Sequence, residues 1–282
     1  MKVHYIFNIL ILPLLFLTSC SKKHNELSEV GLKGNVQSIR EISYSATETN
    51  DTIIKGDIVY SEDLKNYFAT YNQDGNLTEI INYDNTNTVI DRWKFLYSSD
   101  GKALGGNYYL NDNTLSDSTY YVYNKKGYVT EYYHYFADGK LKNKIYSFYD
   151  RKGNITEEKL IDADNMLYRT TKCYYKHKNL IKDSSFDAAG NLLYTSSYIY
   201  NNKDCLIKQT IFNGDGKINS QGTYSYNENG DIEESYSEIP GQKPVKYYYT
   251  YKYDSCNNWI QKITFINNSA VFLTVRQIYY YK

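Results

Sequence analysis

Acids, histidines and thiols are the side chains here that could do chemistry, and their spacing argues against most of it. Glu157-Glu158 and Glu233-Glu234 follow glycine-bearing turns, and carboxylates that face each other across a cleft hydrolyse glycosides. Neighbours on a strand point to opposite faces, so neither pair is a dyad by itself and solvated outer-face charge is the expected role. His24, His134 and His177 follow the leader, and no nucleophile motif accompanies them; His134 and His177 are expected as ordinary sheet-surface residues. No CxxC pair, HExxH segment or P-loop occurs, which removes the common zinc and nucleotide signatures. Asp162-Ala-Asp-Asn165 and Asn213-Gly-Asp-Gly216 lack the spacing and final glutamate of a calcium loop and read as hairpin turns. No catalytic residue, metal ligand or cofactor is assigned.

Cysteine has a different use at the amino terminus. Lys2 precedes an apolar run from Tyr5 to Leu17 that ends in Leu17-Thr18-Ser19-Cys20, too short for a comfortable membrane span and suited to a secretory leader. The ending resembles a bacterial lipobox, which predicts cleavage before Cys20 and acylation of its thiol. Residues 1–19 are then a lipoprotein signal peptide, 20–29 a polar tether, and 30–282 a single β domain. Ser21 after the cysteine, with no acidic export tag, suggests by resemblance an outer-membrane lipoprotein facing the periplasm, with surface exposure left open. The remaining Cys173, Cys205 and Cys256 are an odd count and are expected as free thiols.

Charge offers no further partner. The formal net charge is zero, and no basic stripe invites nucleic acid. The unusual quantity is tyrosine, 35 residues, whose rings must supply much of the packing and whose hydroxyls need partners.

Those tyrosines must be positioned by a repeat. Tyr71-Asn-Gln-Asp-Gly75 returns as Tyr97-Ser-Ser-Asp-Gly101, Tyr123-Asn-Lys-Lys-Gly127, Tyr149-Asp-Arg-Lys-Gly153 and Tyr226-Asn-Glu-Asn-Gly230, and the first four tyrosines are 26 residues apart. Degenerate copies begin at Tyr175, Tyr200 and Tyr253. A weaker series of Asn, Asp and Gly, including Gly190 and Gly216, falls halfway between. These residues tolerate the left-handed conformations of hairpins, so Gly75, Gly101, Gly127, Gly153, Gly190, Gly216 and Gly230 are expected as structural turn positions on two edges of one sheet. Segments such as Tyr247-Tyr-Tyr-Thr-Tyr-Lys-Tyr253 alternate an aromatic face with a wetter one, the period of a strand. Pro240 and Pro244 fall where a turn is due. Before Tyr71 the expected strands are Val36 to Tyr44, Thr52 to Tyr60 and Tyr67 to Tyr71, the first two joined by a loop from Ser45 to Asp51.

The fold class is all-β: a long antiparallel meander of hairpins, about seventeen strands, curled into an open barrel-like or spiral shell lined by tyrosine. Tyr149-Asp-Arg-Lys-Gly-Asn-Ile155 resembles the YD repeat of RHS-type proteins, and Gly31 to Ile39 and Asn258 to Tyr281 are similar to the ends of short YD-repeat lipoproteins of Gram-negative envelopes. The resemblance implies a β-shell of hairpins and no established activity. In large RHS proteins the shell encloses a toxin and ends in a self-cleaving domain; neither a toxin nor a cleavage segment is recognisable here. The expected role is a non-enzymatic scaffold or interaction module anchored to the membrane through Cys20. Glycan binding by an exposed tyrosine face is the alternative, and glycan processing a weaker one. Which aromatics would touch a ligand is not legible at this level.

Overall fold

The computed structural model describes residues 27, 30–61 and 63–282; the expected leader, Cys20 and most of the tether lie outside them. The strands are β1 Val36–Thr49, β2 Thr52–Ile58, β3 Asn66–Tyr71, β4 Leu77–Tyr83, β5 Val89–Tyr97, β6 Ala103–Leu110, β7 Leu115–Tyr123, β8 Val129–Phe136, β9 Leu141–Tyr149 and β10 Ile155–Asp162. They continue as β11 Leu167–Lys176, β12 Asn179–Asp187, β13 Leu192–Tyr200, β14 Leu206–Asn213, β15 Ile218–Tyr226, β16 Ile232–Glu238, β17 Val245–Tyr253, β18 Trp259–Ile266 and β19 Ser269–Tyr280.

The turns explain why the chain makes hairpins of constant length. In Asp150-Arg-Lys-Gly-Asn154 the Asp150 side chain accepts from the amides of Lys152 at 2.8 Å and Asn154 at 2.9 Å. The Asp150 amide donates to the Asn154 carbonyl, and the Gly153 amide donates to the Asp150 carbonyl. The fourth position therefore needs positive φ, and a short acceptor side chain stands either at the first position, as Asp150 does, or at the third, as Asp138 and Asp215 do. The same ring of bonds recurs at residues 72–76, 98–102, 124–128 and 227–231 on one edge and at 84–88, 136–140 and 213–217 on the other. Gly supplies the fourth position in most turns, and Asn87, Asn113, Asn165, Asp204 and Asn257 supply it elsewhere with φ near 60°. Each of these five-residue turns comes with a register shift in the hairpin it joins, such as that between Val122 and Tyr123 beside the turn 124–128. That β-bulge moves one residue out of the alternation.

The expected antiparallel meander is present, and it closes on itself. β1 pairs with β19 on one side and with β2 and β3 on the other, giving an 18-strand ring with β2 as an extra strand. The seam is bolted by polar pairs between the two ends of the chain: Ser43 Oγ and Thr274 Oγ1 at 3.0 Å, and Arg276 Nε and Glu41 Oε2 at 2.7 Å. Following the register once around returns to β1 displaced by about 20 residues, which for 18 strands means a tilt of about 37° and a backbone radius of about 17 Å. The segment from Ser45 to Thr49 is strand rather than loop. It pairs with β2 across the two-residue turn Asn50-Asp51, both at positive φ.

The two faces of this wall differ. The face carrying Tyr97, Tyr123, Tyr149, Tyr226 and Tyr253 also carries buried Asp117, Ile145, Leu160, Cys173, Asp183 and Ser185. The direction of the register drift, combined with the right-handed tilt of barrel strands, puts this face inside. Lys94, Lys159, Lys172, Lys182 and Lys252 stand on the outer face. A compact apolar cluster forms only where the chain joins the ring: Leu27 and Leu32 are buried against Val36, Ile39, Ala69 and Tyr71. Leu27 lies in the segment expected as a tether, yet its amide donates to the Gly75 carbonyl at 3.2 Å.

Candidate functional site

The lumen is the candidate site, and the repeat builds its wall. In four of the main turns the opening tyrosine points inward, and its hydroxyl donates to the carbonyl of the first strand residue after a preceding main-series turn. Tyr97 reaches Leu77, Tyr123 reaches Ala103, Tyr149 reaches Val129 and Tyr226 reaches Leu206, each at 2.6 Å. Tyr281 also donates to a backbone carbonyl across the seam, that of Tyr71 at the end of β3, at 2.6 Å. The motif tyrosine is thus a stitch between consecutive hairpins, and this accounts for its hydroxyl.

The degenerate copies behave differently. Tyr251 takes the carbonyl of Ile232 at 2.7 Å, which frees Tyr253 to bond the Asp231 carboxylate at 2.8 Å. Among the described residues Tyr175 and Tyr200 have no carbonyl stitch. The turn after Tyr175 is shortened to His177-Lys178, with His177 exposed at φ 58°.

Deeper in the barrel the wall alternates rings and acids. Trp93 and Tyr108 lie with ring centroids 5.0 Å apart, and Asn82 donates to the Asp91 carboxylate at 2.6 Å beside them. Tyr121 and Tyr132 follow at 5.6 Å. Asp117 accepts from Ser116 at 2.5 Å and from Lys142 at 2.9 Å, and His134 Nε2 stands 3.0 Å from its Oδ1. His134 is therefore a half-buried lumen residue and not a sheet-surface one. Nε2 lacks the geometry of a hydrogen bond despite that distance, and burial, with Lys142 adding to it, lowers the imidazole pKa. Asp117 is held below the usual range: burial works to raise it, but Ser116 and Lys142 outweigh that.

Further round the ring, Glu158 accepts from Ser147 at 3.1 Å, and burial pushes its carboxyl up to about 7 against the opposing pull of Ser147 and Arg169. Asp183 is also raised by burial and accepts from Tyr198 at 2.7 Å. Burial first, then Glu158 and Asp183, push the Cys173 thiol up to about 12. Cys173, Cys205 and Cys256 are all free.

The expected outer-face role holds for Glu157, paired with Lys159 at 3.2 Å, and for Glu234, paired with Lys246 at 2.9 Å. It fails for Glu158, because one strand neighbour of each pair must face inward. Gly75, Gly101, Gly127, Gly153, Gly190, Gly216 and Gly230 all occupy turns at positive φ. Among the described residues no group of three or more His, Cys, Asp or Glu could hold a metal ion.

Among the described residues, no strand pairing, ring pair or ion pair named above crosses between opposite walls. Each joins residues on one strand or on strands at most two apart in the ring, the wider case being Lys142 of β9 with Asp117 of β7. A wall of radius about 17 Å, with tyrosines reaching inward, leaves an opening about 20 Å across. The outer wall is not a lipid-facing band either, since each exposed lysine placed at a bilayer midplane would cost about 2–4 kcal/mol.

The fold and site define a hollow antiparallel β-barrel with an aromatic, acid-bearing lumen. No family model matches the chain, and no curated protein matches its sequence. Among solved structures it is similar to a porin-like protein from Bacteroides uniformis, with 11% identity and TM-score 0.45, covering 88% of this chain and 99% of that one. A porin-like protein from Bacteroides vulgatus gives 9% identity and TM-score 0.37, covering 87% and 98%. A TcdB2-TccC3 structure gives 11% identity and TM-score 0.28, covering 83% of this chain and 15% of that one. These likenesses concern the path of the strands and assign no activity.

Proposed function

We propose that this chain is a non-enzymatic, lipid-anchored binding module of the bacterial envelope whose lumen takes an extended, hydroxyl-rich ligand, with a glycan strand as the fitting class. The observation that carries this reading is the lumen wall. It sets flat rings such as Trp93 and Tyr108 beside hydrogen-bonding carboxylates such as Asp91. Rings offer a face to sugar C–H groups while the carboxylates accept hydroxyl protons. A passive scaffold has no need of an open aromatic face. Hydrolysis is disfavoured because Asp117, Asp183 and Glu158 are each engaged by hydrogen-bond donors on nearby strands. The YD-like repeat supports the shell, and the lipobox supports the anchor and an outer-membrane location.

The test is tryptophan fluorescence during titration with an oligosaccharide panel drawn from a glycan array. Binding should quench or shift the emission, and Trp93→Ala should weaken it at least tenfold. A blank array with unchanged emission sinks the reading, and released reducing ends would replace it with an enzyme. For the anchor, Cys20→Ala should abolish incorporation of labelled fatty acid; retained label refutes the lipobox.

A further inference from the structure

Over the arc from β5 to β15 the two ends of the barrel carry opposite charge. The main-series turns from residue 98 to 205 hold Lys102, Lys125, Lys126, Arg151, Lys152, Lys176, Lys178 and Lys203 against Asp100, Asp150 and Asp204. At the other end of the same strands, the turns from residue 110 to 217 hold six aspartates against Lys140 and Lys217. Some of the basic charge is paired, as Lys178 is with Asp204 at 3.0 Å. Lys125, Lys126, Arg151 and Lys152 are exposed, and the turn 124–128 has no acid of its own.

Just below this rim, on the outer wall, each residue preceding an inward motif tyrosine points outward. Leu96, Phe148, Tyr174 and Ile199 occupy that row and are 46%, 47%, 48% and 52% exposed. Lysines lie over two of the rings: Lys159 Nζ is 5.3 Å from the Phe148 centroid and Lys182 Nζ is 5.6 Å from that of Tyr174. The row ends where the basic turns end, since the next positions are Ser225 and Lys252. An apolar and aromatic row beneath a basic rim matches the layering of a bilayer surface, with headgroup charge outermost and the acyl boundary beneath.

The path of the chain selects the same end. Leu27 bonds the turn at Gly75, and the Lys33 amide donates to Asn258 at 2.8 Å. Both contacts lie on the rim that carries the main turns, so Leu27 and Lys33 join the barrel at that rim. Cys20 is only seven residues from Leu27, about 25 Å at full extension.

We propose that the basic rim from Lys102 to Lys203, with Leu96, Phe148, Tyr174 and Ile199, rests on an anionic phospholipid surface and stands the barrel with its acidic mouth away from the membrane. The contact orients the protein. It is screened by salt, unlike an acyl anchor. It rests on residues apart from the lumen wall, so its failure would leave the glycan reading intact.

The test uses unacylated residues 20–282 in co-sedimentation with vesicles of phosphatidylcholine alone or with 30% phosphatidylglycerol, about the anionic share at which a basic patch binds measurably. Binding should require the anionic lipid and fall at least tenfold at high salt. Reversing the rim with Lys125→Glu, Lys126→Glu, Arg151→Glu and Lys152→Glu should weaken it at least tenfold. Lys140→Glu with Lys217→Glu, at the opposite end, should leave it unchanged. Far-UV circular dichroism checks that each variant is folded, since Lys140 and Lys217 pair with Asp138 and Asp215 within their own turns. Equal binding to both vesicles, equal loss in both variants, or no binding of the parent chain overturns the proposal.

Discussion

Alanine at Gly127 and at Gly153 makes a matched pair that tests how the turns are joined to the tyrosine ladder. Both glycines take the fourth position of a main turn, with φ of 84° and 90°. A Cβ on Gly127 meets nothing within 4 Å, whereas one on Gly153 would run into the Tyr128 ring, 2.8 Å from Cζ and closer still to the hydroxyl. The shared cost is left-handed strain, about 1 kcal/mol. Gly153→Ala must also push Tyr128 off Tyr149, where the rings stack at 4.9 Å with an interplanar angle of 18°. Losing that stack adds about 0.5–1.5 kcal/mol, before any loss of buried area. The expected gap between the variants is therefore about 1–2 kcal/mol, or about 3–6 °C in Tm for a chain of this length. Thermal unfolding followed by circular dichroism reads it. In a Tyr128→Ala background the gap should vanish, because the obstructing ring is gone. Equal Tm losses, or a gap that survives Tyr128→Ala, would show that the turn and the ladder are energetically independent.

Two further outcomes follow from buried groups. The Glu158 carboxyl is raised to about 7 in the folded chain, above its ordinary unfolded value, so the native state holds the extra proton and stability falls as pH rises from about 4.5 to 7. Glu158→Gln should remove that slope and raise Tm at pH 8 relative to the parent; parallel curves between pH 5 and 8 would contradict the burial argument. In protein whose Cys20 is acylated or replaced, a thiol reagent at pH 8 should modify half-buried Cys205 and Cys256 in the native state, and buried Cys173 only after denaturation. Rapid native labelling of Cys173 would mean that the wall opens there.

The turns were legible because their chemistry is local. An acceptor side chain at the first or third position and Gly, Asn or Asp at the fourth can be read from five residues, as in Asp150 to Asn154, with no knowledge of the rest of the chain. Closure was not legible. The β1–β19 seam depends on Glu41 meeting Arg276 and Ser43 meeting Thr274, pairs more than 230 residues apart that no local pattern announces. The same limit hid the lumen acids. Counting alternate residues from Gly153 does not settle which of Glu157 and Glu158 faces inward, because the bulge after the turn breaks the period of two. Tyr149 supplies the missing phase. Ser147 shares its face and pairs with Glu158, and Cys173 continues that face on the next strand, so Glu158 stands with the motif tyrosines.

Closure by the last strand also dictates the order of events in making this protein. While β19 is unmade, β1 and β18 are open strand edges, each able to pair with another chain. The hairpins between them involve only near neighbours and can form as they emerge, but the ring waits for the final dozen residues. A chain stopped short of Ser269 would therefore have most of its hairpins and no barrel, with two adhesive edges in place of a seam. Such edges must be kept apart until β19 is in place. A truncation at β19 is thus expected to cause aggregation out of proportion to the few contacts it removes.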